Sequence, residues 1–245
     1  MNKVLAFIVL LVSSIFLLGC KTTEKTADFA VYRDSLLIQA SDKMTILFKK
    51  GGSYNHPTFV IWEEDTDGNY LRTLFITQAY ASGVFGYRMV GDSIWLNEPG
   101  ESIQPAALPY WTHKKGPITG DQLVPTKDHP FIDAYTGETP SGNFQFQTGA
   151  SLPEGPTRLM LEVNQAWDWN RYWTNNKYPD SPAYKHSAQP SLIYEAVINP
   201  ADSVVSLTPI GHGDPKGESG KLFSDLSTLT TAKEIFESIT ISIKQ

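Results

Sequence analysis

Cysteine is almost missing from this chain: the only one is Cys20. A single cysteine excludes an internal disulfide and any zinc site built on several thiolates. The five histidines, His56, His113, His129, His186 and His212, never pair as H-x-H or H-x-x-x-H. No local metal motif follows from them. A nucleophile elbow, G-x-S-x-G, is absent as well. Lysine and arginine nowhere form a cluster, and the formal charge is −6. Such a chain makes a poor non-specific binder of nucleic acid, because nothing on it tracks phosphates. Long amphipathic helical patterns and repeats of solenoid period are also missing.

The N-terminus carries the strongest signal that is present. Lys3 precedes the apolar run "VLAFIVLLVSSIFLL" (4–18), and "LLGC" (17–20) closes it. The run is shorter than the roughly 20 residues of a spanning helix. Its end resembles the bacterial lipobox. That resemblance implies thioether attachment of diacylglycerol to Cys20, cleavage before it and acylation of the new amine. Residues 1–19 are then a lipoprotein signal peptide and residues 20–34 a lipidated tether, with the domain over 35–245. Several acyl chains anchor well, since each buried methylene contributes about 0.8 kcal/mol. Lys21 stands where an inner-membrane retention aspartate would be, which favours the outer membrane of a bacterial envelope.

Beyond the tether the pattern is β. "SLLIQA" (35–40) and "MTILFK" (44–49) are short apolar runs, and "TFVIWEE" (58–64) and "YLRTLFIT" (70–77) flank the turn cluster "DTDGN". That arrangement predicts a hairpin. "NFQFQT" alternates Phe144 and Phe146 with glutamines, "RLMLEVN" puts Leu159, Leu161 and Val163 on one face, and "SLIYEAVI" and "SVVSLTP" follow. Period two is the mark of half-buried strands. Thr231 and Glu234 have the spacing of a capping box, predicting one short helix before a terminal strand with Ile239, Ile241 and Ile243. The expectation is an all-β, antiparallel, immunoglobulin-like sandwich with long loops. Residues 78–142 and 165–190 are too long for turns; they hold function or hidden strands, "YRMVG" and "SIWLN" among them.

Three motifs do not hold up on inspection. Asp65, Asp67 and Asn69 alternate like calcium ligands, but a strand follows where a bidentate acid is needed, and a hairpin turn explains them. "GHGDPKGESGK" (211–221) has Pro215 and Leu222 where a phosphate loop needs glycine and Ser/Thr. "TPSGNF" (139–144) resembles the T-P-x-G-x-F stretch of L,D-transpeptidases. That activity needs a cysteine in a Ser-His-Gly-Cys setting, which this chain lacks, so a Pro-x-Gly turn is the better account. The only metal candidates left are His129 with Asp133 and His212 with Asp214.

The segment "NQAWDWNRYWTNNKY" (164–178) holds three of the six tryptophans. Trp167, Trp169 and Trp173 lie among Asp168, Arg171 and Tyr178. Rigid aromatic faces mixed with directed polar groups suit a glycan or protein partner. The competing reading continues the strand, with Trp167 and Trp169 extending the buried face of Val163. Only the part from Asn170 onward, led by Trp173, then forms a binding loop.

"HPTFVIWEEDTDGNYLRTLFIT", "DAYTGETPSGNFQF" and "TRLMLEVNQAWDWN" together resemble an uncharacterised group of bacterial periplasmic proteins and lipoproteins with a domain of unknown function. The Thr-Gly-x-x-Pro-x-Gly strand start is similar to the immunoglobulin-like domain of flagellar hook-capping proteins. The resemblance implies the sandwich and assigns no site residues or cofactor. The sequence reading is therefore a lipid-anchored envelope protein, a non-enzymatic binding module. The alternatives are an envelope hydrolase or metal-dependent enzyme using His129, Asp133, His212 and Asp214, and a structural accessory subunit.

Overall fold

Alternating phenylalanines set the centre of the molecule. In the computed structural model, which describes residues 29–34, 42–90, 94–150, 155–199 and 201–244, Phe48 and Phe144 stand opposite each other on paired strands. Their rings stack at 4.3 Å, and Phe59 stacks on Phe75 at 5.1 Å. Each such pair contributes about 0.5–1.5 kcal/mol beyond the area it buries. The expected signal peptide, Cys20 and the run "SLLIQA" lie outside the described residues.

Two sheets make an all-β sandwich around this cluster. The strands are β1 (Ala30–Arg33), β2 (Asp42–Lys50), β3 (Thr58–Glu64), β4 (Tyr70–Thr77), β5 (Val84–Phe85), β6 (Arg88–Val90), β7 (Ile94–Leu96), β8 (Gly100–Glu101), β9 (Tyr135–Gly137), β10 (Phe144–Ala150), β11 (Thr157–Asn164), β12 (Leu192–Ile198), β13 (Val204–Ser206), β14 (Thr208–His212) and β15 (Phe236–Lys244). One sheet runs β1-β10-β2-β15-β13 and the other β14-β12-β11-β3-β4-β9. Pairing is antiparallel except for β1 with β10 and β4 with β9. The hairpin β3–β4 turns on Asp65, whose two carboxylate oxygens accept the backbone and side-chain N–H groups of Asn69, both at 2.8 Å. "YRMVG" and "SIWLN" supply β6 and β7, which pair with each other.

The six-stranded sheet is buried on both faces. Phe59, Ile61, Leu159, Leu161 and Val163 face the other sheet. Val60, Trp62, Met160 and Ile193 face outward into a second core. That explains why "TFVIW" and "SLIY" read as unbroken apolar runs rather than alternating ones. The cover over the second face comes from the long segment between β4 and β9. It contains two short helices, α1 (Gln78–Ser82) and α2 (Pro109–Lys115), with Tyr80, Trp111 and Phe131 buried against the sheet.

Helix α2 is held where it docks. Pro109 occupies its first turn and His113, Lys114 and Lys115 its last, as the helix dipole favours. Glu162, fully buried on β11, accepts the N–H groups of Tyr110 at 3.2 Å and Trp111 at 2.7 Å. Ser191 Oγ donates to the same carboxylate at 2.5 Å. Burial raises this carboxyl from 4.5 to about 7, against the hydrogen bonds that lower it. A Cβ on Gly213 would meet Ser191 Oγ at 2.5 Å and Pro109 Cγ at 2.8 Å, so only glycine fits beside this cluster. Further along the same face Arg158 pairs with Glu64 at 2.9 Å and with Glu195, while Trp62 Nε1 donates to Glu64 at 3.0 Å.

The C-terminal helix is present as a single 3-10 turn over Thr231–Glu234, but the capping box is not. Thr231 gives its hydroxyl to Asp168, and Glu234 accepts from Ser53 Oγ at 2.8 Å. Long-range partners have taken both side chains from the local motif. β15 then carries Ile239, Ile241 and Ile243 into the core, as their spacing predicts.

Candidate functional site

β11 ends at Asn164, and the segment after it does not continue the strand. Asn164 Nδ2 donates to the carbonyl of Gln189 at 3.0 Å, closing the strand end. Three residues on, Trp167 adopts a left-handed backbone with φ of 62°. That conformation is costly for a bulky residue and persists only where neighbours impose it. Here the N–H of Trp167 donates to the carbonyl of His186 at 2.8 Å, and Gln189 N–H to that of Asp168 at 3.1 Å. Ala188, facing Asp168 across this bridge, is left-handed too at φ of 61°. His186 is presented by helix α3 (Pro182–Ser187), which Ser181 caps by accepting the N–H of Tyr184 at 3.3 Å.

The period of two is therefore broken at Trp167, and the indoles swing outward. Trp167 is 46% exposed and Trp169 41%, while Trp173 is only 4% exposed. This corrects the division drawn from the sequence. Trp167 and Trp169 do not extend the face of Val163, and Trp173 does not lead a surface loop. Trp173 instead closes the end of the main core, packing against Tyr184 and His212 and donating from Nε1 to Thr228 Oγ1 at 3.2 Å. Tyr178 is half-buried, edge-on to Tyr184 at 4.9 Å. Arg171 and Tyr172 are exposed, with Lys177 Nζ 3.4 Å from the centre of the Tyr172 ring.

The two exposed indoles form a ledge. Their centroids are 5.7 Å apart and their planes cross at 78°. Behind Trp167 the imidazole of His186 lies at 4.7 Å, tilted by 35°. The amide of Gln104 donates to His186 Nε2 at 3.3 Å, which fits a neutral ring, and burial lowers the affinity of that ring for a proton.

A dense polar network fixes the loop from below. Asn170 Oδ1 accepts the N–H groups of Tyr172 at 2.8 Å and Trp173 at 2.7 Å, and its Nδ2 reaches Gln189 Oε1, Thr228 O and Thr230 Oγ1. Gln189 Oε1 also accepts the N–H of Thr230 at 2.7 Å, and its Nε2 donates to Thr231 Oγ1. Asp168 shares Thr231 through one oxygen; the other is buried without a hydrogen-bond partner, and burial raises this carboxyl. Asp168 and Asn170 thus hold the ledge rather than face a ligand. Rigid support of this kind is what lets exposed aromatic rings bind without a large ordering cost.

The metal candidates do not assemble. His129 and Asp133 are exposed on the loop before β9. His212 is buried, stacked on Phe223 at 5.1 Å with Nδ1 bonded to Gly213 O at 2.8 Å. Asp214 is spent on Lys216 N–H and Ser219 Oγ. Among the described residues no three of His, Cys, Asp or Glu gather at one point.

The segment that carries Gln104 also borders an open cleft of about 380 Å³, with Ser102, Ile103, Gln122, Lys127 and His129 in its lining. No sequence pattern marks it, nor Gln104 and His186, because the parts come from segments some 80 residues apart. No family model, curated protein or solved structure matches the chain.

Proposed function

We propose that this protein is a lipid-anchored component of a bacterial cell envelope, held to the outer membrane through Cys20, that acts as a non-enzymatic binding module. Its binding face is the ledge of Trp167 and Trp169. The observation that carries this reading is the left-handed backbone of Trp167, which spends conformational energy to turn a large apolar side chain toward solvent. Backbone strain of order 1–3 kcal/mol persists where the surrounding structure over-determines it, and such positions concentrate at ligand sites. A core would gain by burying those rings; this loop is built to keep them out. The lipobox supports the anchor, and among the described residues no helix is long and apolar enough to cross a membrane.

The test is site-directed photo-cross-linking in cells. A benzophenone side chain replacing Trp169 captures an envelope component, glycan or protein. The same group at Val204, which is more exposed than Trp169 and lies on β13, serves as the control. Capture at 169 no greater than at 204 overturns the assignment of the binding face.

A further inference from the structure

The ledge does not stop at Trp167. His186 continues it, and Gln104 joins His186 to the segment that borders the cleft. Ile103, one residue before Gln104, is 64% exposed at that border and serves no core. We infer that ledge and cleft form one continuous track for an extended, uncharged glycan, with sugar rings stacked on Trp167 and Trp169 and further units lying over Ile103 into the cleft. The inference rests on the ledge being the binding face and adds the class and length of its ligand.

Three observations favour a glycan over a peptide. First, the loop has little backbone to offer: the N–H groups of Trp167, Trp169, Asn170, Tyr172 and Trp173 are all bonded internally. An extended peptide recognised by strand addition needs such groups unpaired. Pyranose rings need only aromatic faces for their C–H surfaces and side chains for their hydroxyls. Second, the indole planes cross at 78°, so one flat ring cannot lie on both. Successive sugar units, turned relative to each other, can. Third, the cleft offers the hydroxyl of Ser102, the amide oxygen of Gln122, whose N–H groups are bonded to Val124 and Thr126, and the imidazole of His129, while Lys127 is paired with Glu101 at 2.7 Å. Asp128 is the remaining charge in the lining, so the cleft carries no excess of positive charge, which suits a neutral chain better than a polyanion.

The probes are the β-1,4-linked disaccharide and pentasaccharide of N-acetylglucosamine, titrated calorimetrically into the full chain in detergent. The pentasaccharide binds about tenfold more tightly than the disaccharide, and Trp167→Ala loses both. The double variant Ile103→Ser/His129→Ala, which changes two exposed side chains, weakens the pentasaccharide to the level of the disaccharide and leaves the disaccharide unchanged. Equal affinity for the two sugars, unaffected by the double variant, overturns the continuous track while the ledge stands. Binding of neither sugar, with photo-capture of a protein still occurring at 169, overturns the glycan and makes the ledge a protein-binding face.

Discussion

Glu162 gives the fold a pH dependence that runs opposite to ordinary acid denaturation. Its carboxyl is fully buried between β11 and helix α2, and burial raises it from 4.5 to about 7. Between those values the folded chain holds a proton that the unfolded chain has released. Stability from this group is complete below about pH 4.5 and is lost as pH rises through about 7. At about 1.4 kcal/mol for each pH unit, the loss is about 3 kcal/mol. His186 and His212 work the other way over part of the same range, because burial lowers both and favours their neutral forms. The perturbation must therefore isolate Glu162. Glu162→Gln keeps one acceptor for the helix N–H groups and removes the titration. Urea unfolding of both proteins from pH 5 to pH 8 gives a stability difference that shifts by about 3 kcal/mol in favour of the variant as pH rises. A difference that stays constant across that range refutes the claim that this carboxyl is held protonated by burial.

Two further outcomes follow from the same structure. Trp173→Ala empties the end of the main core and costs about 3–5 kcal/mol in urea unfolding, whereas Trp169→Ala, at 41% exposure, costs about 1 kcal/mol or less. Equal losses would mean that both rings are core. Cys20→Ser abolishes incorporation of labelled fatty acid, which the wild type takes up in growing cells; equal label in both would refute the lipid anchor.

The sandwich was legible wherever a strand has one buried face. Phe144 and Phe146 alternate with glutamines, and "DTDGN" marks the β3–β4 turn, because those signals are local. The second core was harder to see. Val60, Trp62, Met160 and Ile193 pack under a cover delivered from residues 78–134, and a face buried by a distant segment erases the period that would reveal it. Glu162 shows the same limit, since its partners Tyr110, Trp111 and Ser191 lie far along the chain. At the site the aromatic segment itself stood out, but its division came out inverted. Spacing by two, continued past Asn164, puts Trp167 and Trp169 inside and Trp173 outside, the inverse of their burial. Left-handed backbone is signalled by glycine or asparagine, and a tryptophan gives no such sign. The carbonyl of His186, reaching back from helix α3, and the bond from Gln189 N–H to Asp168 help impose it.

The most direct measurement of the central claim is the response of individual indoles to ligand. With the tryptophan side chains labelled with ¹⁵N, the Nε1–H signals report each ring separately while the N-acetylglucosamine pentasaccharide is added to the full chain. Trp167 and Trp169 shift and saturate together, while Trp62, Trp111 and Trp173, buried in the two cores, stay in place. Saturating shifts at Trp173 with Trp167 and Trp169 unmoved would contradict that claim.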